Sequence, residues 1–410
     1  MGGIADYSGS LVLQRPIAEA TFAAAQLIDL PEVQIISVGR APYVVPLRAL
    51  APEGDPLTYE DARQLFASAE HHWAAYVAGH FIVLMRERGV HFSEGVRIVI
   101  ASSVPEGKGV SSSAAIETAS MHAIASAFGI DLDPLDLALL CQKAENLIAG
   151  APCGVMDQMT CVFGEKDSLL ALLCQPATLQ PALCVPDDIS LWGLDSGERH
   201  AVGGSDYTSV RTGAFMGYRI IAEHDGVPSD YLANLSPSDF ESEFVRYLPD
   251  EMSGRDFLAR YGGTGDSVTI VDPARTYRIR QPTAHPVHEH HRVRLFRELM
   301  LEPSSEERRV QLGELMYQSH ASYSACGLGS KGTDRLVDLV YKEGPKQGLY
   351  GARITGGGSG GTVAVLGRSD AGAAIGRVVD AYEAATGYRP YVFSGSSPGM
   401  TSFGVLNVTL

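Results

Sequence analysis

The chain has 410 residues, enough for two packed lobes, and its 45% hydrophobic and 20% charged content is an ordinary soluble composition. A formal net charge of −16 excludes nucleic acid and anionic membrane surfaces as partners, because both demand a basic face. No stretch approaches the roughly 18 apolar residues of a membrane span, and the N-terminus lacks the basic-then-apolar order of a signal peptide, which predicts a cytoplasmic location.

In chain order, Gly2 to Ser10 reads as a turn, Leu11 to Pro16 and Val33 to Val38 as strands, and the alanine-rich Ala18 to Gln26 as a helix. Thr58-Tyr-Glu-Asp61 resembles a capping box and opens a predicted amphipathic helix to about Arg88, with a strand over Val96 to Ala101. Helices are predicted over Ser111 to Phe128, over Pro134 to Ala149 and from near Gly154, and strands over Ser168 to Leu173 and Ile189 to Leu194. A polar, glycine-rich turn after Asp195 enters a helix over Asp206 to His224, and from about residue 225 to Tyr261 the pattern is irregular. Helices resume over His285 to Met300, Ser304 to Cys326 and Thr333 to Lys342. The end reads as a hairpin of Tyr350 to Thr355 and Thr362 to Leu366, a helix over Asp370 to Thr386 and a strand over Tyr391 to Phe393. This mixed order predicts an α+β fold without the regular alternation of a doubly wound sheet. Six cysteines occur without CxxC spacing, so reduced thiols are expected.

Three constellations carry chemistry. In Val104-Pro-Glu-Gly-Lys-Gly-Val-Ser-Ser-Ser-Ala-Ala115, Gly107 and Gly109 let the backbone bend and approach a ligand. Val110 leads into Ser111, Ser112 and Ser113, which open a helix whose first amides lack intrahelical partners. Such a helix N-terminus attracts anions, so the segment reads as a phosphate cradle, although the Gly-Lys-Ser/Thr ending of a P-loop is missing and such a loop taken alone is more often an ordinary capped turn. Glu145 followed by Gly150-Ala-Pro-Cys-Gly-Val-Met-Asp-Gln158 offers Asp157 as a base toward a hydroxyl and Glu145 as a metal ligand. Both also admit plain readings, a dipole-favoured first-turn residue and a solvated surface charge. Gly351-Ala-Arg-Ile-Thr-Gly-Gly-Gly-Ser-Gly-Gly361 places a glycine run between two strands, where a flexible linker rarely sits. His285-Pro-Val-His288-Glu289-His290-His291 lacks the further ligands of a metal site and reads as a solvated helix start. Arg199 and Arg211 read as surface or lobe-contact residues.

With these motifs in this order, the chain resembles the superfamily of galactokinase, homoserine kinase, mevalonate kinase and phosphomevalonate kinase, over nearly its whole length. Cys153-Gly-Val-Met-Asp-Gln158 and Ser319-His-Ala-Ser322 resemble the galactokinase branch. Met1 to Ser10, Trp192 to Tyr207 and Tyr323-Ser-Ala-Cys-Gly-Leu-Gly329 are similar to the kinase domain of plant L-arabinokinases. The resemblance implies a two-lobed fold with the active site between an N-terminal lobe, residues 1–200, and a C-terminal lobe, residues 201–410. It implies ATP and Mg²⁺ as cofactors, with Gly107, Gly109, Val110 and Ser111 to Ser113 around the phosphates, and Ser112 and Glu145 on the metal. Asp157 would act beside the anomeric hydroxyl, with Gly154 in the sugar site. Gly356, Gly357, Gly358, Gly360 and Gly361 would pack against the phosphate loop.

Galactokinases read Gly-Glu-His-Thr-Asp-Tyr at the first turn, with Glu and His near the exocyclic hydroxymethyl group. This chain keeps Asp6 and Tyr7 but has Gly3 and Ile4 in their place. L-Arabinopyranose is the galactose ring without that group, so the exchange fits a pentose; a buried hydroxyl without partners costs ~1–3 kcal/mol. Asp6 and Tyr207 are the expected sugar-binding side chains. The resulting expectation is an L-arabinose 1-kinase, monomeric or homodimeric. Galactokinase, glucuronokinase and a silent sugar sensor remain as alternatives. Family members carry an Ala-Pro-Gly-Arg strand just upstream, which is missing here. A longer natural chain is expected, because losing that strand would expose sheet backbone.

Overall fold

The computed structural model describes residues 1–68, 70–199, 205–224 and 231–408. The chain packs as two compact units. One comprises residues 1–18, 107–110 and 167–396, the other residues 19–106, 111–166 and 397–410. The division is therefore discontinuous, whereas the sequence predicted a single boundary near residue 200. Sheet pairing is the reason: Leu11–Gln14 runs antiparallel to Ser168–Leu173, so the first strand packs with distant chain.

The unit around residues 19–166 holds a four-stranded sheet in the order Thr21–Ile28, Gly95–Ser102, Glu32–Ser37, Tyr43–Pro46. Glu32–Ser37 lies parallel to Gly95–Ser102, and the other pairs are antiparallel. Val33, Ile35, Val96, Ile98 and Ile100 point inward at period two. The Ala18 to Gln26 helix prediction is corrected here: Thr21–Ile28 is a strand. Alanine favours helix only weakly, and its small side chain lets helix Ser112–Ala127 lie against this strand. The long helix predicted to Arg88 is two helices, Tyr59–Leu65 and Ala75–Arg88. Thr58 does cap the first, its hydroxyl accepting the Asp61 N–H at 3.1 Å. The break follows at Phe66, which turns inward and is fully buried. Ala75–Arg88 is buried on most sides, so its apolar residues show no single-face periodicity.

The other unit contains a three-stranded antiparallel sheet, Leu11–Gln14, Ser168–Leu173, Thr178–Cys184. A four-stranded antiparallel sheet runs in the order Leu349–Ile354, Thr362–Arg368, Ile189–Asp195, Val392–Phe393. Helices Arg280–Leu301, Glu306–Ala325, Lys331–Glu343 and Gly372–Thr386 cover these sheets. Gly313 and Gly351 bring Glu306–Ala325 into direct contact with strand Leu349–Ile354, since a Cβ on Gly351 would lie 2.4 Å from the Gly313 Cα. The helix predicted over Asp206 to His224 is present as Ser205–Ile221. Of the turn predicted before it, residues 200–204 lie outside the described residues, as do residues 225–230 of the predicted irregular segment. Among the described residues no helix is long and apolar enough to cross a membrane.

Candidate active site

The predicted first turn is a tight helical turn, Gly3–Ser8. The Ile4 N–H donates to the Tyr323 hydroxyl at 2.8 Å, and that hydroxyl donates to the Gly356 carbonyl at 3.1 Å. One tyrosine thus ties the first turn to the glycine run. Ile4 is 1% exposed, in an apolar cluster with Val210, Tyr323, Cys326, Leu328 and Ile354. Asp6 is buried, with Oδ1 accepting the Tyr7 N–H at 2.7 Å. The Tyr207 ring stands edge-on to Tyr7 at 6.1 Å, so the two expected sugar residues share one neighbourhood. Of the surface or lobe-contact reading for Arg211, the surface half does not hold. It is 5% exposed, lies against the Tyr7 and Phe215 rings at 5.4 and 5.0 Å, and pairs with Asp266 at 3.1 Å. Arg199 is exposed as expected.

Gly3 has φ +41°, and a Cβ there would sit 1.6 Å from the Tyr323 hydroxyl oxygen. Gly3→Ala is therefore expected to cost at least about 3 kcal/mol through strain and overpacking. Adding Tyr323→Phe should recover part of that loss by removing the clashing oxygen. Thermal melts of the single and double variants check both statements.

Beneath the turn, Glu289 is fully buried. Its carboxylate accepts from the Gly2 N–H at 3.1 Å, the Ser319 hydroxyl at 2.6 Å and Arg292 Nε at 2.8 Å. Burial pushes this carboxyl up, but Arg353 and Arg292 outweigh it and hold it at about 2. The histidine run around it is not the solvated helix start predicted, because the helix begins at Arg280. His285 is 1% exposed with Nδ1 2.7 Å from the Ser322 hydroxyl, and His290 Nδ1 accepts the Leu11 N–H at 2.9 Å. Burial lowers His285 to about 3, His290 to about 4, and His80 in the other unit to about 3. These groups stay neutral in the folded chain but protonate near 6.5 when unfolded, so stability falls as pH drops below 6.5 toward 3. Glu289 adds to the loss between its unfolded value near 4.5 and about 2. Unfolding at pH 5 is expected to take up about two protons or more, measured by calorimetry in buffers of different ionisation enthalpy.

The cradle Glu106 to Val110 is a turn, and Gly107 and Gly109 adopt φ +70° and +67°. The glycine run packs against it. A Cβ on Gly361 would lie 2.9 Å from the Lys108 carbonyl, and one on Gly356 would lie 3.2 Å from the Gly109 carbonyl. Thr355 and Thr362 hydroxyls donate to the Gly109 and Lys108 carbonyls at 3.2 and 2.8 Å. Gly358 and Gly360 face Leu328 and Glu198 with equally little room, and Gly357 lies between two such positions. The sequence reading missed the side chain inside the cradle: Lys108 Nζ donates to Asp195 Oδ2 and, at 3.0 Å, to the Tyr388 hydroxyl.

Ser111, half-buried, has φ +60°, uncommon for a residue with a side chain, and helix Ser112–Ala127 starts directly after it. In that same unit Glu145 is 6% exposed, which removes the surface-charge reading. It sits where helix Pro134–Ala144 widens into a π turn, Glu145–Ala149, a distortion frequent at functional sites. Its Oε2 accepts from Gln158 Nε2 at 2.6 Å and the Cys153 thiol at 3.2 Å, and Ser113 bonds the same carboxylate. Gln158 Nε2 also donates to Glu117 Oε2 at 3.0 Å. Burial, reinforced by neighbouring carboxylates, raises both Glu117 and Glu145. Asp157, half-buried in the first turn of Met156–Phe163, lies close enough for its charge to act on Glu145. Gly154 is in the turn just before. Glu117 was missed, although it lies four residues after Ser113 and hence on the same helix face. Among the described residues no three or more His, Cys, Asp or Glu form a self-sufficient metal cage. Glu145 and the serine hydroxyls suit Mg²⁺, which takes one or two carboxylates and completes its shell with phosphate and water.

Comparison with known proteins adds a family to this geometry. Residues 75–165 match the family described as GHMP kinases N terminal domain, and residues 294–384 match GHMP kinases C terminal. The L-arabinokinase of Arabidopsis thaliana is 46% identical, covering 100% of this chain and 46% of that protein. This chain thus spans less than half the length of that relative. The galactokinase of Haemophilus influenzae (strain PittEE) is 31% identical, with 78% of this chain and 74% of that protein covered. The solved structure of Lactococcus lactis galactokinase complexed with galactose has the same fold, with a TM-score of 0.75 at 22% identity over 96% of this chain and 90% of that one. Such identity across most of a galactokinase, with both family segments in order, means that the chain belongs to the GHMP kinases, in their galactokinase branch.

Proposed function

We propose that this GHMP kinase transfers the γ-phosphoryl group of ATP to the anomeric hydroxyl of L-arabinose, giving L-arabinose 1-phosphate and ADP. The observation that carries the reading is the first turn, where buried Asp6 follows Gly3 and an Ile4 enclosed in apolar contacts. A galactose-like ring without a hydroxymethyl group needs a carboxylate for its ring hydroxyls and no polar partner beyond them. The identity to L-arabinokinase along the whole chain supports the same substrate.

In this reading Gly107, Gly109, Val110 and Ser111 to Ser113 wrap the ATP phosphates, with the free amides and dipole of helix Ser112–Ala127 favouring the anion. Ser112 and Glu145 hold Mg²⁺, which when bound neutralises charge on the phosphates. Asp157 accepts or orients the proton of the anomeric hydroxyl as its oxygen bonds to phosphorus, and ADP leaves. Asp6 and Tyr207 hold the sugar, beside Gly3, Ile4 and Gly154. Gly356 to Gly361 leave room for backbone alone. Transfer through a loose transition state needs mainly alignment and charge neutralisation, and these parts supply both. Six cysteines without CxxC spacing fit a reducing, cytoplasmic setting.

The test is ADP release with Mg²⁺-ATP over L-arabinose, D-galactose, D-glucuronate and D-xylose. The highest kcat/KM is expected for L-arabinose. A preference for D-galactose would make the chain a galactokinase, and L-arabinose binding without turnover of any sugar would make it a sensor.

A further inference from the structure

Lys108 is held at both ends by one cross-strand pair. Asp195, the last residue of its strand, stands opposite Thr362 in register. Asp195 takes the Lys108 ammonium, and the Thr362 hydroxyl takes the Lys108 carbonyl. Asp195 has no exposure, its Oδ1 accepts the Gly197 N–H at 3.0 Å, and its Oδ2 also receives the Tyr388 hydroxyl. The lysine charge is therefore spent on a carboxylate inside the protein. Turning toward a phosphate would strand that carboxylate without its cation, away from water.

We propose that Lys108 is a positioning residue: the Lys108, Asp195 and Tyr388 triad latches the cradle so that the amides of residues 107–110 are set for the nucleotide phosphates. The inference rests on the reading of this loop as the ATP phosphate site. Its signature is cooperative, because breaking either partner releases the same latch.

The experiment measures the KM for ATP, kcat, and calorimetric Kd values for L-arabinose and a non-hydrolysable ATP analogue. The variants are Lys108→Met, Asp195→Asn, the double variant, Lys108→Arg and the milder Tyr388→Phe. Each charge-removing single variant is expected to raise the ATP KM and analogue Kd about tenfold, as a misplaced binding loop does. Sugar affinity should stay unchanged and kcat should stay within about threefold. The double variant should be no worse than the worse single, Lys108→Arg should recover most of the loss, and Tyr388→Phe should fall between. Tighter nucleotide binding in Asp195→Asn would mean that the freed ammonium reaches phosphate, which overturns the latch. Additive losses, or no change in any variant, overturn it as well. If the unsubstituted chain binds no nucleotide, the reading of the loop itself falls.

Discussion

Asp157→Asn is expected to lower kcat by about three orders of magnitude while changing the Kd for L-arabinose less than about threefold. The side chain lies in the first turn of helix Met156–Phe163, where the helix dipole favours a negative group, and its charge is felt by Glu145. Asparagine keeps the shape and one acceptor oxygen, so the helix start and the proposed sugar contacts are expected to survive. The carboxylate proposed to take or direct the hydroxyl proton does not. Single-turnover transfer and calorimetry on the same preparation separate the two effects. Undiminished turnover would remove Asp157 from the chemistry.

The second large effect concerns Glu145→Gln. Buried and raised by its surroundings, this carboxyl shares the Gln158 amide with Glu117, so two acidic groups are kept together away from water. Such an arrangement is unfavourable on its own and makes sense where a cation joins it. Glutamine preserves the acceptor for Gln158 but removes the charge. The Mg²⁺ concentration for half-maximal turnover should rise at least about tenfold, and kcat should fall about a hundredfold. The melting temperature measured without metal should hold or rise, because one buried charge is gone. An unchanged Mg²⁺ dependence would place the ion elsewhere.

Much of the candidate site was legible because its residues sit in local patterns. The glycine and serine spacing of the cradle, the hairpin around the glycine run and the turn before Asp157 each follow from backbone needs of neighbouring residues. What escaped the sequence reading depends on distant partners. Nothing near Lys108 in the chain announces Asp195 and Tyr388, and nothing near Ile4 announces Tyr323. Burial was misjudged for the same reason. Arg211 and His285 are polar residues whose partners, Asp266 and Ser322, lie 55 and 37 positions away. The alanine content of Ala18 to Gln26 predicts a helix because it reports propensity, whereas the pairing of Thr21–Ile28 with Gly95–Ser102 is decided by contacts with chain far away in sequence.

The most direct measurement is the identity of the product. After incubation with Mg²⁺-ATP and L-arabinose, NMR of the purified sugar phosphate should show the phosphorus coupled to the anomeric proton, with one ADP formed per sugar. Phosphate on any other carbon, or ATP left intact while L-arabinose binds, would contradict the assignment.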